Sequence, residues 1–301
     1  MHSVGSYKFL KFIRTGSYCG VWECQDIRTG DLRACKVIDI GLCSDDEFFD
    51  HFKNELIIHS QISHESIVKL YDVIIDDKNV YIVIELCDGG DLNDHVQRLG
   101  GLPENQARRY FKQLMGAVSY IHKLGVAHRD IKLENILVTS QDTAKLTDFG
   151  LCKQQSGNNL LLTTCGTLVY AAPEIIKEQP YNGMTADIWS AGVVLYAMIS
   201  NHFPWQVEEE IPAEDLVHET ANQILSGTIL YPDTISFELL NLLENMLNVD
   251  PEERPQAHEI MDHPWMKMNT QEMEDAPPII DQCLIETVKN VITVLDKRRK
   301  Q

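Results

Sequence analysis

The apolar residues in the first part of the chain follow the pattern of short β-strands. Between residues 7 and 85, β-branched and aromatic residues form runs such as Val80-Tyr81-Ile82-Val83-Ile84, which are typical of buried strands. A helical pattern interrupts these runs near Asp46–Gln61. We therefore predict a small, mainly β lobe over residues 1–86.

The spacing of the apolar residues becomes helical after the run Cys87-Asp88-Gly89-Gly90. Pro103 is a typical first residue of a helix, and Gly125 is a typical helix end. The apolar residues that recur between them at helical spacing are Ala107, Phe111, Leu114, Val118 and Ile121. The sequence thus predicts an α+β fold with a hinge at residues 87–91, a larger mainly α lobe at residues 92–267, and a cleft between the two lobes.

The last segment, residues 268–301, contains a further helical pattern after Pro277 and Pro278. The apolar residues that share one face of this helix are Ile280, Leu284, Val288, Val291 and Leu295. In water this face must be buried, and the basic run Lys297-Arg298-Arg299-Lys300 could face the acidic body of the protein or calmodulin. The helix is either regulatory, docked on the rest of the chain or on a partner, or a passive brace on the large lobe. Truncation should raise activity or abolish partner binding in the first case, and should only lower stability in the second.

Composition and charge indicate which partners and which cellular compartment to expect for this protein. The 301 residues carry a formal net charge of −19, which argues against nucleic acid and anionic membranes as partners. The charge favours basic protein substrates, although a requirement for solubility explains it equally well. The apolar stretch at residues 188–199 is too short to span a bilayer and predicts a buried helix. The start Met1-His2-Ser3 shows neither a signal peptide nor a myristoylation glycine, and the eight cysteines lack metal-ligand spacing. We therefore expect a cytoplasmic or nuclear protein with reduced, mostly buried cysteines.

Two segments of the β lobe carry residues suited to phosphate binding. The turn Gly16-Ser17-Tyr18-Cys19-Gly20-Val21 would let backbone amides approach a phosphate, although a simple hairpin explains it equally well. Lys36 lies inside the apolar run Ala34-Cys35-Lys36-Val37-Ile38, where an unpaired ammonium group would be unfavourable. Glu55, in the helical pattern, is its expected partner. The alternative for Glu55 is a position on the helix surface.

A denser group of functional residues follows in the α lobe. The run His128-Arg129-Asp130-Ile131-Lys132-Leu133-Glu134-Asn135 is followed thirteen positions later by Asp148-Phe149-Gly150. An aspartate, a lysine and an asparagine on one irregular loop can supply a proton acceptor, a phosphate counter-charge and a metal ligand. With these motifs, residues 7–266 resemble the protein kinases. The resemblance implies a bilobal protein kinase fold that uses ATP and Mg²⁺.

The resemblance also implies a role for each residue of these motifs. Lys36, held by Glu55, would contact the α- and β-phosphates of ATP. Asp130 would be the catalytic base and Lys132 the contact to the γ-phosphate. The other implied contacts are Asn135 and Asp148 for Mg²⁺, Gly16 and Ser17 in the glycine turn, Val21, Ala34 and Leu137 around the adenine, Ile84 at the back of the pocket, the backbone of Glu85 and Cys87 at the base, and Asp91 at the ribose.

Within the kinases, the chain resembles the serine/threonine class. Lys132 and the run Gly166-Thr167-Leu168-Val169-Tyr170 are typical of that class, and Thr167 would help to seat the acceptor hydroxyl. Glu134 and Asp91 stand where relatives meet a basic residue about three positions before the acceptor. The resemblance therefore implies protein substrates with Arg or Lys near the acceptor.

Further implied contacts support the site. Thr163 is the implied phosphorylation site of an upstream kinase and Arg129 is its expected receiver, although checkpoint-type relatives act without this phosphate. Glu174 should pair with Arg254 inside the large lobe, and Asp187 should brace the catalytic loop, which is the run at residues 128–135.

The finer resemblance is to the calcium/calmodulin-dependent kinase group. It rests on runs such as Cys87-Asp88-Gly89-Gly90-Asp91-Leu92 and Phe203-Pro204-Trp205, and is closest to the checkpoint effector and energy-sensing kinases. The chain departs from the family where Arg14 and Cys19 replace glycines of the glycine turn. His59 also replaces a leucine, either as a hydrogen-bonded, partly buried histidine or as a pH switch.

Two alternative functions follow from these residues. A nucleotide-binding pseudokinase scaffold would keep the fold without the chemistry, and the altered glycine turn favours it, whereas the intact Lys36, Asp130, Asn135 and Asp148 oppose it. A small-molecule phosphotransferase of related fold would lack the peptide-binding segment at residues 166–174.

Overall fold

The structure is a computed structural model that describes residues 3–16, 19–154, 161, 167–205, 212–268 and 279–299. The chain divides into two compact units, residues 1–88 with 276–301 and residues 89–275. The first unit is mainly β and the second is mainly α, which confirms the predicted α+β class. The division after residue 88 falls within the predicted hinge.

An antiparallel sheet dominates the first unit. Its strands are β1 (Ser3–Val4), β2 (Tyr7–Thr15), β3 (Cys19–Asp26), β4 (Leu32–Asp39), β5 (Leu70–Ile75) and β6 (Asn79–Glu85). They lie in the order β1-β2-β3-β4-β6-β5. On one face, the buried side chains of Tyr7, Cys24, Cys35, Tyr81 and Val83 form a core cluster. Because side chains alternate along a strand, the sequence neighbours of these residues project from the other face.

The helix α1 (Asp46–Gln61) follows β4 and has the bounds that the sequence predicts. Asp45 caps its first turn by accepting a hydrogen bond from Phe48 N at 2.8 Å. Acidic residues in that turn also suit the positive end of the helix dipole. The side chains that α1 buries are Phe49, Phe52, Leu56, Ile58, His59 and Ser60.

The C-terminal helix α10 (Gln282–Arg299) belongs to the first unit, not to the larger one. It packs against α1 and β5. Its buried residues are Val288, Val291, Ile292 and Leu295. The expectation that this helix braces the large lobe is therefore wrong, because the helix packs within the mainly β unit.

The apolar stripe predicted for this helix is correct only in part. Ile280 precedes the helix and is 43% exposed. Asp281 accepts hydrogen bonds from Cys283 N and Leu284 N, which starts the helix after Ile280. The predicted stripe thus begins one turn too early, and it omits the buried Ile292.

Helices form most of the second unit. They are α2 (Leu92–Leu99), α3 (Glu104–Lys123), α4 (Pro173–Ile176), α5 (Gly183–Ser200), α6 (Ala213–Ser226), α7 (Phe237–Met246), α8 (Ala257–Asp262) and α9 (Pro264–Lys267). Short strands accompany them, namely β7 (Val126–Ala127), β8 (Ile136–Val138), β9 (Ala144–Leu146) and β10 (Lys153–Gln154). The apolar residues predicted to share one face of α3 are all buried. The prediction for this helix is confirmed.

The helix α5 is the apolar centre of the second unit. By length and composition alone its 18 residues could cross a membrane, but 72% of that window is buried inside the protein. Trp189 and Tyr196 are among its fully buried side chains. The buried helix predicted around residues 188–199 is therefore present, and the protein core accounts for its apolar character.

The cysteines behave largely as predicted. In the described part of the chain, those that are buried are Cys24, Cys35, Cys43 and Cys152, and all seven described cysteines are free of disulfides. Burial raises the pKa of the Cys24 thiol to about 11. Such thiols remain protonated and act as small apolar side chains.

Candidate active site

One face of the sheet in the first unit gathers the predicted nucleotide residues. Lys36 on β4 lies opposite Val21 on β3, and Ala34 lies opposite Ile84 on β6. Residues paired across antiparallel strands project from the same face, as do residues two positions apart. These four side chains therefore share the face opposite to the Cys35 core cluster. The strand register thus places on one face the side chains that the sequence analysis assigned to the binding of adenine and phosphate.

The glycine turn connects β2 and β3. Gly16 N donates a hydrogen bond to Cys19 O at 2.7 Å, which closes the turn. Before it, the β2–β3 register is shifted between Phe12 and Arg14. Ser17 lies outside the described residues. The structure thus contains the predicted hairpin, and a phosphate-binding role for the turn stays a prediction.

Lys36 has the partner that its apolar strand requires. Its Nζ lies 3.3 Å from Glu55 Oε1, and the two side chains are only 21% and 15% exposed. Glu55 is therefore not a surface residue of α1. A partly buried ion pair of this kind restricts the lysine side chain to one region of the sheet face.

The last residues before the unit boundary are the predicted contacts to the base. Glu85 N donates a hydrogen bond to Lys69 O at 2.8 Å. This amide is therefore already hydrogen-bonded within the first unit. Cys87 is partly exposed.

His59 is a hydrogen-bonded buried histidine. Its Nε2 lies 2.7 Å from the Val68 carbonyl oxygen, to which it donates. Val68 lies in the same unit as α1. This contact favours the structural interpretation of His59 over the pH switch.

In the second unit, a buried carboxylate fixes the catalytic loop. Asp187 on α5 is 1% exposed. It accepts hydrogen bonds from His128 N and Arg129 N, each at 2.7 Å, and from His122 Nε2 at 2.9 Å. Arg129 has a φ of 69°, a left-handed conformation that is unfavourable for a residue with a side chain. The predicted brace is present, and it holds the loop in this conformation.

His128 supports the same loop from the core. Its ring lies 5.1 Å from that of Phe149 in an edge-on arrangement, and its Nε2 lies 3.2 Å from Thr147 O. Burial lowers the pKa of His128 below its usual value, against the opposing effects of Asp187 and other nearby carboxylates. This histidine therefore stays neutral and serves as a structural member of the site.

Asp130 lies at the centre of the catalytic loop. Its carboxylate accepts hydrogen bonds from Lys132 Nζ at 2.8 and 3.0 Å. It also accepts one from Asn135 Nδ2 at 2.8 Å, and the same nitrogen lies 2.9 Å from Asp130 O. The aspartate, lysine and asparagine thus converge as the sequence analysis expected, and the two donors fix the orientation of the carboxylate.

Asn135 and Asp148 are suited to hold Mg²⁺. Thr147 N, directly before Asp148, donates a hydrogen bond to Asn135 O at 2.9 Å. The Asn135 amide nitrogen is engaged with Asp130, which leaves the amide oxygen for a metal. A carboxylate oxygen and an amide oxygen are ligands that Mg²⁺ accepts, usually together with water and phosphate. Within the described residues there is no cluster of three His, Cys, Asp or Glu side chains that would suit another metal.

The predicted substrate and ribose residues lie near the same loop. Glu134 is exposed and accepts a hydrogen bond from Tyr170 Oη at 3.3 Å. Thr167 is exposed and precedes the 3₁₀ turn that contains Tyr170. Asp91 caps α2 through Asp94 N at 3.1 Å, and its backbone forms a β-bridge with Leu137. Asp91 therefore has a structural role besides those implied by the resemblance.

Of the remaining contacts that support the site in the second unit, some were predicted from the sequence and others were not. Arg254 donates to both Glu174 oxygens at 2.8 Å inside the unit, as predicted. Thr163 lies outside the described residues. The sequence analysis did not identify His122, which bonds Asp187, or Tyr181, whose hydroxyl oxygen accepts a hydrogen bond from Arg129 Nε at 3.1 Å. Both are isolated residues outside the motifs, and no local pattern indicates their partners.

Comparison with known proteins identifies a family for this arrangement. Residues 7–266 match the family model described as the protein kinase domain. The chain is 36% identical over 262 residues to the maternal embryonic leucine zipper kinase of Xenopus tropicalis, covering 86% of this chain and 39% of that protein. It is 36% identical over 265 residues to CBL-interacting protein kinase 24 of Oryza sativa subsp. japonica, covering 88% and 57%. It is 35% identical over 270 residues to CBL-interacting serine/threonine-protein kinase 24 of Arabidopsis thaliana, and this match covers 89% of this chain and 59% of that protein.

These relatives belong to the calcium/calmodulin-dependent kinase group, which confirms the resemblance to that group. The chain spans between 39% and 59% of the length of the relatives named above.

Proposed function

This chain belongs to the protein kinase family, and we propose that it transfers the γ-phosphate of ATP to serine and threonine hydroxyls of proteins. The observation that carries the proposal is the arrangement around Asp130. Its carboxylate is oriented by Lys132 and Asn135, and its loop is fixed by the buried Asp187. A fixed carboxylate beside a lysine and an amide meets the need of phosphoryl transfer for a positioned hydroxyl.

In this proposal the loop residues divide the chemistry. Asp130 accepts the hydrogen bond of the acceptor hydroxyl and takes its proton as the oxygen bonds to the γ-phosphorus and the bond to ADP breaks. Lys132 neutralises charge that develops on the transferred group. Asn135 and Asp148 hold Mg²⁺, which when bound offsets the negative charge of the phosphates. Positioning and charge stabilisation supply most of the catalysis in reactions of this kind.

The first unit supplies the remaining nucleotide contacts in this proposal. Lys36, restrained by Glu55, pairs with the α- and β-phosphates. The face that carries Val21, Ala34 and Ile84 offers the apolar surface that an adenine ring needs. The predicted hydrogen bonds to the base then come from backbone groups at the end of β6.

We expect a preference for substrates with Arg or Lys about three positions before the acceptor. Glu134 is an exposed acidic residue of the catalytic loop and can pair with such a basic side chain. An arrayed peptide library, incubated with the full chain, Mg²⁺ and radiolabelled ATP, measures acceptor type and flanking preference together. An ion pair between exposed side chains contributes about 0.2–1 kcal/mol, so the basic residue should raise kcat/KM by up to about fivefold. Glu134→Gln should reduce this preference.

Glu253→Gln is the matched control, because Glu253 is an exposed glutamate in the same unit. It should leave the flanking preference unchanged. An acidic preference, or none, would contradict the substrate proposal. Mg²⁺-dependent ATP binding without transfer to any peptide would instead favour the pseudokinase scaffold.

We also propose that an upstream kinase phosphorylates Thr163. Arg129, next to Asp130, is the residue type that receives such a phosphate. Mass spectrometry of the active protein should find the phosphate on Thr163, and phosphatase treatment should lower turnover. Undiminished turnover of protein that carries no phosphate at Thr163 or Thr164 would disprove this proposal.

For α10 we propose a regulatory role that acts through α1. Arg298 Nη1 donates to Asp76 O at 2.7 Å, and Arg299 forms an ion pair with Asp46 at the start of α1. The Arg299 guanidinium also lies 4.5 Å from the centre of the Phe49 ring. The basic end of the tail is thus engaged with acidic residues of its own unit, so calmodulin or another tail-binding partner would have to compete with these contacts.

The packing of α10 on α1 also concerns Glu55, because Glu55 lies on α1. The helix α1 carries both Glu55, which pairs with Lys36, and Phe49, which contacts Arg299. A rigid helix transmits a shift at its first turn to residues further along it. We therefore propose that docked α10 stabilises the paired arrangement of Lys36 and Glu55.

A further inference from the structure

Tyr181 occupies an unusual position between α4 and α5. It is only 3% exposed. Its backbone forms an antiparallel bridge with Leu161, in which Leu161 N donates to Tyr181 O at 2.7 Å and Tyr181 N donates to Leu161 O at 2.9 Å. Leu161 belongs to the segment between Asp148 and Glu174, which carries the predicted phosphorylation site. Tyr181 therefore attaches this segment to the helical core.

The side chain of Tyr181 meets the catalytic loop. Arg129 Nε donates a hydrogen bond to Tyr181 Oη at 3.1 Å, and Arg129 Nη1 donates to Leu151 O at 3.3 Å. Leu151 directly follows the run Asp148-Phe149-Gly150. The guanidinium group of Arg129 thus joins the catalytic loop to the residues after the predicted metal ligand and to Tyr181.

Arg129 needs such contacts because of its backbone. Its φ of 69° is unfavourable for any residue with a side chain, and Asp130 is the next residue. The main chain of Arg129 is fixed by Asp187 at 2.7 Å, whereas its side chain is fixed by Leu151 and Tyr181. Loss of the Tyr181 acceptor would leave a partly buried guanidinium N–H without that partner, which is unfavourable, and Asp130 directly follows Arg129 in the chain.

We infer that Tyr181 is a positioning residue: its hydroxyl group holds Arg129, and through it Asp130, while its backbone holds the segment of Leu161. The inference rests on the proposed kinase activity. It adds that Arg129 has an uncharged hydrogen-bond partner within the chain, the hydroxyl group of Tyr181. A guanidinium group has five N–H donors, and Tyr181 and Leu151 each use one.

The test compares Tyr181→Phe with Tyr196→Phe in the full chain. Tyr196 is the matched control, because it is a buried tyrosine of the same unit whose hydroxyl donates to Leu230 O at 2.7 Å. Steady-state kinetics with the best library peptide give kcat and the KM for ATP. Tyr181→Phe should lower kcat by about tenfold, within the range caused by small misplacements in an active site, and should leave the KM for ATP within about twofold. Tyr196→Phe should leave both values near those of the wild type.

Hydrogen exchange measured by mass spectrometry gives a second readout that does not require activity. Tyr181→Phe should increase exchange in peptides that cover residues 126–135, and Tyr196→Phe should not. An unchanged kcat together with unchanged exchange in Tyr181→Phe would overturn the inference, as would equal losses in both variants. If the wild type transfers no phosphate but the exchange difference is found, the proposed function fails while the positioning role of Tyr181 stands.

Discussion

Replacement of Asp130 or Asp148 by alanine is expected to abolish phosphate transfer while leaving the protein folded. Asp130 is the carboxylate that Lys132 and Asn135 orient, so its loss removes the group that positions the acceptor hydroxyl. Loss of a positioned base costs about 10²-fold or more in rate. Asp148→Ala removes the charged ligand of the proposed Mg²⁺ pair and should have an effect of similar size. Transfer to the best peptide measures both effects, and circular dichroism verifies the fold.

Asp262→Ala is the matched control for these variants. Asp262 is a carboxylate of the same unit that pairs with Lys267 on the surface, where its side chain is 76% exposed. Its removal should leave the transfer rate within about twofold, because surface ion pairs contribute little. If either Asp130→Ala or Asp148→Ala retained a tenth of the wild-type rate, the role proposed for that residue would be wrong.

Removal of residues 279–301 is expected to lower both stability and activity. The truncation deletes the buried side chains Val288, Val291, Ile292 and Leu295, and burial of each such side chain contributes about 1.5–3 kcal/mol. It also exposes surface on α1 and β5. Because α1 carries Glu55, we expect weaker pairing with Lys36 and a lower kcat/KM for ATP. This direction is opposite to the gain in activity that the sequence suggested for a regulatory tail.

A single substitution separates regulation from bracing. Arg299→Ala removes the ion pair with Asp46 and the contact with Phe49 but keeps the apolar face of α10. Lys297→Ala is its control, since Lys297 is an exposed residue of equal charge on the same helix. Arg299→Ala should lower kcat/KM for ATP more than Lys297→Ala does. A lower melting temperature with unchanged kinetics, in both the truncated protein and Arg299→Ala, would instead favour a passive brace.

The sequence predicts the chemical groups of the candidate site well because they lie in short linear motifs. Asp130, Lys132 and Asn135 lie on one loop, so their convergence needs no long-range information. The pairing of Lys36 with Glu55 could be anticipated because a lysine in an apolar strand needs an anion. Helices α1 and α3 were predictable for a related reason, since capping residues and apolar spacing are local signals.

Long-range packing was predicted less well. The apolar stripe of α10 indicates that a partner surface exists, but nothing in it distinguishes the mainly β unit from the mainly α unit. The contact of Arg129 with Tyr181 joins residues 52 positions apart, and an isolated tyrosine carries no signal for it. The use of the Glu85 amide could not be predicted either, because it depends on a hydrogen bond to the carbonyl group of Lys69.

The composition of the first unit from residues 1–88 and 276–301 has a consequence for biosynthesis. The partner surface of α1 and β5 emerges from the ribosome early, whereas α10, which packs on it, is translated only after the whole second unit, residues 89–275. At about 5–20 residues per second, synthesis of the chain between residues 88 and 299 takes roughly ten to forty seconds. Through that interval the apolar surface beneath α10 lacks its own helix, which makes the nascent first unit a candidate client for chaperones that bind exposed apolar segments.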